Sequence, residues 1–178
     1  MNDTTGTTAR TTIFLGDSLT EAGNWAEWFP DAGAVNLGVG GDTTELVLER
    51  LESVIEQAPG TIVLLIGTND LAWRRPVEQT VRNIESILWK IHHELPETRV
   101  IVQSVLPRDR ELADLVREIN IHVRQFAPTV KAEWVDLWPE LAEEDGEIKP
   151  EYSDDRLHLN DAGYSAWVAQ LRPVLESA

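Results

Sequence analysis

Thr61-Ile62-Val63-Leu64-Leu65-Ile66-Gly67-Thr68-Asn69-Asp70 is the stretch that decides the architecture. Its first six residues are a continuous apolar run with the length of a strand, ended by a glycine. Similar runs occupy Thr12–Leu15, Ala34–Leu37, Val100–Val105 and Ala132–Asp136. The segments between them are amphipathic. Thr44 to Gln57 places Leu46, Val47, Leu51, Val54 and Ile55 on a helical stripe. Pro76 opens the next helix in its first turn, with Val77, Val81, Ile84, Ile87, Leu88 and Ile91 as the inner face. Glu111–Phe126 and Asp161–Leu175 follow the same pattern. Strands that alternate with helices predict an α/β fold, a parallel sheet with helices on both faces.

In such a sheet the carboxyl ends of the strands border one crevice, where ligands bind. Three loops that leave strand ends carry reactive or permissive residues. Ile13-Phe14-Leu15 runs into Gly16-Asp17-Ser18-Leu19. A second strand runs into Asn36-Leu37-Gly38-Val39-Gly40-Gly41-Asp42-Thr43-Thr44, and the third into Gly67-Thr68-Asn69-Asp70. Near the other end stands Asp155-Arg156-Leu157-His158. A lone Gly-Asp-Ser is usually a turn and a lone Asp-x-x-His a solvated loop. Together they supply a nucleophile, a base and an acid to orient the base.

A neutral serine hydroxyl needs an adjacent base to take its proton. An imidazole serves, because its unperturbed titration lies close to neutrality. The three-residue spacing lets Asp155 reach one ring nitrogen of His158 while the other faces Ser18. Asp154 is the alternative orienting acid. Acyl transfer also needs donors aimed at a developing oxyanion. The backbone N–H groups of Ser18 and Gly41 and the uncharged side-chain amide of Asn69 can supply them.

On these four blocks the chain resembles the SGNH hydrolases, also called the GDSL esterase/lipase family. Ser18 in GDSLT, Gly41 in GVGGDTT, Asn69 in GTND and His158 in DRLHLN match the family's four named residues, from about Ile13 to Tyr164. NLGVGGDTT, SVLPR and DRLHLNDAGY are most similar to small bacterial lysophospholipase-like and platelet-activating-factor-acetylhydrolase-like members. The resemblance implies a flavodoxin-like three-layer sandwich with a five-stranded sheet. It also implies a serine esterase with a Ser18–His158–Asp155 triad, an oxyanion hole of Ser18, Gly41 and Asn69, and no cofactor or metal. Arg156 departs from the pattern, where a small residue such as glycine is expected. The same mechanism would serve a carbohydrate O-deacetylase, a thioesterase or a lysophospholipase. A flavodoxin-like binding module without chemistry is disfavoured, since all four blocks keep their reactive residues.

The bulk properties narrow the partners. The chain has 178 residues, 42% hydrophobic, with a formal net charge of −16 and no cysteine. The charge argues against nucleic acid or an anionic membrane as a partner. The lack of cysteine removes disulfides and thiol ligands. Residues 1–11 read as a flexible tail and residues 12–178 as one domain. Neither a signal peptide nor a membrane span is apparent, so a cytoplasmic location is expected. The expected partner is a small-molecule ester. The oligomeric state, a homodimer included, stays open. Gly38-x-Gly40 lacks the third glycine of a dinucleotide fingerprint, because position 43 is Thr. His92 and His93 fall at a helix end, and His122 is expected to pack at a core edge. Of the seven tryptophans, Trp89, Trp134, Trp138 and Trp167 are expected to pack. Trp25, Trp28 and Trp73 either line a substrate pocket, with Asp17, Leu19 and Leu157, or cover the core near its rim.

Overall fold

The structure is a computed structural model that describes residues 11–177. The expected tail, apart from Thr11, lies outside the described residues. Five strands, β1 (Thr12–Gly16), β2 (Ala34–Gly38), β3 (Thr61–Leu65), β4 (Arg99–Gln103) and β5 (Glu133–Val135), form one sheet in the order β2-β1-β3-β4-β5. Every pairing is parallel. The chain moves from β1 outward to β2 and then crosses back to place β3 on the other side of β1. The strand order therefore reverses between β1 and β3, which opens the crevice at their carboxyl ends.

Side chains alternate across the sheet, as the pleat requires. Ile13, Leu15, Ile62, Leu64, Val100 and Val102 enter one core. There they meet α3 (Thr44–Ile55), α5 (Val77–Glu94) and α6 (Ala113–Phe126). Phe14, Val63, Leu65 and Ile101 enter the other core. That side is covered by α1 (Ser18–Glu21), α2 (Trp25–Trp28), α7 (Trp138–Leu141) and α8 (Asp161–Leu175). A continuous apolar β3 is thus the signature of a strand covered on both faces. The remaining helix, α4 (Thr68–Ala72), is a single turn after β3.

The second core is built on aromatic rings. Trp25 stacks on Phe14 at 4.3 Å between centroids and meets Trp167 edge-on at 4.9 Å. Trp167 Nε1 donates to Gln103 Oε1 at 2.6 Å, which satisfies the buried indole N–H.

Four local expectations are revised. Pro76 is the N-cap of α5, with ψ 142°, one residue before the first helical turn. A 3-10 turn at Arg110–Leu112 precedes α6. His122 is exposed, and Trp89 is 55% exposed and stacks on His93 at 4.9 Å instead of entering the core.

Candidate active site

Ser18 is the first residue of α1, immediately after β1. The helix starts there because Asp17 caps it: Asp17 Oδ1 accepts the Leu19 N–H at 3.0 Å. Asp17 is fully buried, and its Oδ2 has no hydrogen-bond partner. Burial pushes its carboxyl up to about 7, aided by the nearby Asp42 and Asp70 carboxylates and opposed by the Leu19 N–H and His158.

His158 reaches Ser18 from the loop before α8. Its Nε2 lies 3.3 Å from Ser18 Oγ, and its Nδ1 lies 2.7 Å from Asp155 Oδ2. The first distance is long for a hydrogen bond, as is usual without substrate. Asp155 Oδ1 accepts the backbone N–H groups of His158 at 2.7 Å and Leu157 at 2.9 Å. The imidazole, then these amides, pull the Asp155 carboxyl down to about 2. Asp155 and His158 therefore form one compact turn.

Ser153 Oγ lies 3.3 Å from Asp155 Oδ1 and accepts the Leu157 N–H at 3.1 Å, tightening that turn from below. Arg156, between the acid and the base, has φ +63°, a left-handed conformation. That explains why glycine suits the position, since a side chain there costs roughly 1–2 kcal/mol. Its Nε pairs with Glu147 Oε1 at 2.8 Å.

Gly41 and Asn69 sit on the neighbouring strand ends. Gly41 has φ +84°, and a Cβ added there would meet nothing within 4 Å. Glycine is needed for the backbone angle, not for space. Asn69 Nδ2 donates to the Asp42 carbonyl at 2.9 Å, which leaves the second hydrogen of that amide without an acceptor among the described residues.

Two buried acids hold these loops, and the sequence reading gave neither a role. Asp42 pairs with Arg50 Nε at 2.7 Å. Arg50 Nη2 then reaches the carbonyls of Gly16 at 3.1 Å and Leu37 at 2.9 Å, so one guanidinium ties the ends of β1 and β2 to the Gly41 loop. Asp70 accepts Thr44 N at 2.9 Å and Thr44 Oγ1 at 2.6 Å, fixing the start of α3. Burial raises the Asp70 carboxyl above its ordinary value, against the pull of those Thr44 bonds. The available signal was their place inside the motif blocks, beside Gly41 and Asn69.

The expected pocket lining divides. Asp17, Leu19 and Trp25 are buried, with exposures of 0%, 1% and 1%, so their side chains belong to the core beneath the site. Trp28 is half-buried against Trp25 and Tyr164. Tyr164 OH donates to the Leu19 carbonyl at 2.7 Å, joining α8 to the nucleophile's helix. Leu157 keeps a partly exposed side chain, and Trp73, at the end of α4, is 74% exposed.

A model of the GDSL-like lipase/acylhydrolase family matches residues 14–166. The chain belongs to that family. The match takes in all four blocks and both helical layers. Among curated relatives, platelet-activating factor acetylhydrolase IB subunit alpha1 of Homo sapiens is 32% identical over 173 residues, covering 92% of this chain and 74% of that protein. The alpha2 subunit of Mus musculus is 31% identical over 164 residues, covering 86% and 70%. Among solved structures, a GDSL-like lipase from Bacteroides thetaiotaomicron superposes with a TM-score of 0.83 at 26% identity, covering 94% of this chain and 88% of that one. An acetylxylan esterase from Geobacillus stearothermophilus shares the fold, with a TM-score of 0.78 at 19% identity and 95% coverage of each chain. This GDSL-family chain is a hydrolase, built on the expected five-stranded α/β sandwich.

Proposed function

We propose that the chain is a serine esterase that hydrolyses short-chain, acetyl-type esters through an acyl-enzyme. The observation that carries this reading is the line Ser18 Oγ–His158–Asp155, at 3.3 Å and 2.7 Å, in the crevice between β1 and β3. His158 Nε2 takes the Ser18 proton as Oγ attacks the ester carbonyl. The N–H groups of Ser18 and Gly41 and the amide of Asn69 receive the oxyanion. Asp155 holds the imidazole in the tautomer that accepts at Nε2 and stabilises its charged form. The imidazolium then protonates the departing alcohol. Water, deprotonated by the same His158, attacks the acyl-Ser18 ester and releases the acid.

Two features support a short acyl group. His158 and Asp155 keep side-chain exposures of 53% and 55%, so the site opens to solvent instead of lying in a tunnel. The relatives named as acetylhydrolase subunits bear a name that denotes acetyl removal.

The test is a fluorophosphonate probe with mass-spectrometric site mapping, run beside p-nitrophenyl esters of graded length, acetylated sugars and acyl thioesters. Labelling at Ser18, its loss in Ser18→Ala and fastest turnover of the shortest esters are expected. An unlabelled wild type, or Ser18→Ala that turns over at the wild-type rate, refutes the assignment.

A further inference from the structure

One ionised side chain at the mouth of this site takes no part in the chemistry above. Glu21 lies three residues after Ser18 on α1, and positions i and i+3 of a helix share a face. Its backbone is locked. Asn36 Nδ2 donates to the Glu21 carbonyl at 2.9 Å, Glu21 N donates to Asp17 O at 2.9 Å, and a Cβ on Gly38 would press within 2.1 Å of Glu21 N. The carboxylate reaches over Gly40, beside the Gly41 donor. A methyl group placed on Gly40 would lie 2.9 Å from Glu21 Oε2 and 3.9 Å from Ser18 Cβ, so nucleophile and carboxylate border the same spot.

No hydrogen bond or ion pair engages this carboxylate among the described residues. The guanidinium of Arg50 is already held by Asp42 and by the carbonyls of Gly16 and Leu37. The carboxylate of Asp155, by contrast, is satisfied by His158 and two backbone N–H groups. Among the described residues, nothing offsets the charge that Glu21 presents to the ground above Ser18.

We propose that Glu21 is a specificity residue that selects small esters carrying a cationic group a few bonds from the scissile carbonyl, and that discriminates against anionic ones. The proposal rests on the esterase reading and names a substrate class within it. The chain's net charge of −16 steers cations toward the surface generally, but only a local carboxylate distinguishes two esters of equal shape at the carbonyl.

The experiment compares isosteric ester pairs on wild type, Glu21→Gln and Glu21→Asp. Acetylcholine and 3,3-dimethylbutyl acetate differ by a charge on the alcohol side. Betaine methyl ester and methyl 3,3-dimethylbutanoate differ by a charge on the acyl side. The ratio of kcat/KM for the cationic over the neutral ester, divided between wild type and variant, cancels the esters' own reactivity. Glu21→Gln should lower that ratio about three- to tenfold at low ionic strength for at least one pair, mainly through KM. Salt should erase the difference, and Glu21→Asp, which keeps the charge, should retain part of the preference. An unchanged ratio in both pairs overturns the proposal. So does an equal fall in kcat for both members of a pair, which would mark Glu21 as structural or chemical. If the wild type hydrolyses neither neutral ester nor any p-nitrophenyl ester, the esterase reading falls as well. If it hydrolyses them and Glu21→Gln leaves both ratios unchanged, only the role of Glu21 falls.

Discussion

Replacing Asp17 with Asn should remove a pH-dependent weakness from the fold. The folded chain holds the Asp17 carboxyl at about 7, against an ordinary value of 3.8. Roughly three units at about 1.4 kcal/mol each set a ceiling near 4 kcal/mol on the cost of ionising it in place. A raised carboxyl binds its proton more tightly folded than unfolded. Its contribution to stability is therefore complete below about pH 4 and is lost as pH rises through 7. Asn keeps an oxygen to accept the Leu19 N–H but cannot ionise. Its amide hydrogens, placed where Oδ2 has no partner, carry a cost of roughly 1–3 kcal/mol at every pH. The informative quantity is thus the difference between wild type and Asp17→Asn across pH, measured by urea denaturation from pH 4 to pH 8. The variant should gain on wild type by up to about 4 kcal/mol over that span. A flat difference, or one of opposite slope, would refute a raised carboxyl beneath Ser18.

Three further outcomes follow from the site. Asn69→Ala should lower kcat about 10²–10³-fold with little change in KM, as loss of one oxyanion donor does; an earlier melt with normal turnover would make Asn69 a turn residue only. Asp155→Asn should lower kcat by up to about 10⁴-fold, because the imidazole loses the partner that fixes its tautomer, and should melt somewhat earlier, because the turn loses an ionised acceptor; steady-state assays at neutral pH decide it, and normal turnover sinks the role. Gly41→Ala should cost about 1–2 kcal/mol, the strain of a side chain at φ +84°, since the added methyl meets nothing within 4 Å. A thermal-melt loss well above that would mean the loop is packed more tightly than its geometry shows.

The parts of this molecule that are periodic or contiguous were legible in the sequence. The apolar run Thr61–Ile66 gave a strand covered on both faces, and the Asp-x-x-His spacing gave one turn with a 2.7 Å carboxylate–imidazole contact. Side-chain direction near a boundary was not legible. Trp89 follows Ile87 and Leu88, and a further step of about 100° carries it out of the packed stripe. His122 precedes buried Val123 on α6 and is displaced from the stripe in the same way. Trp25 illustrates another failure: its proximity to Ser18 in sequence suggested the pocket, while stacking on Phe14 and Trp167 drew it under the site. The bracing of the Gly41 and Asn69 loops was invisible because it joins distant residues, Arg50 to Gly16 and Asp70 to Thr44.

Ser18 and His158 stand 140 residues apart, and the Tyr164–Leu19 bond that ties α8 to α1 spans 145. Ser18 leaves the ribosome 140 residues before His158. Until α8 docks, a nascent or refolding chain holds Ser18 without the His158 imidazole beside it. Under the proposed mechanism such a chain is inactive, and recovered turnover becomes a clock for the docking of α8. In a refolding time course, that clock should lag the return of helical signal.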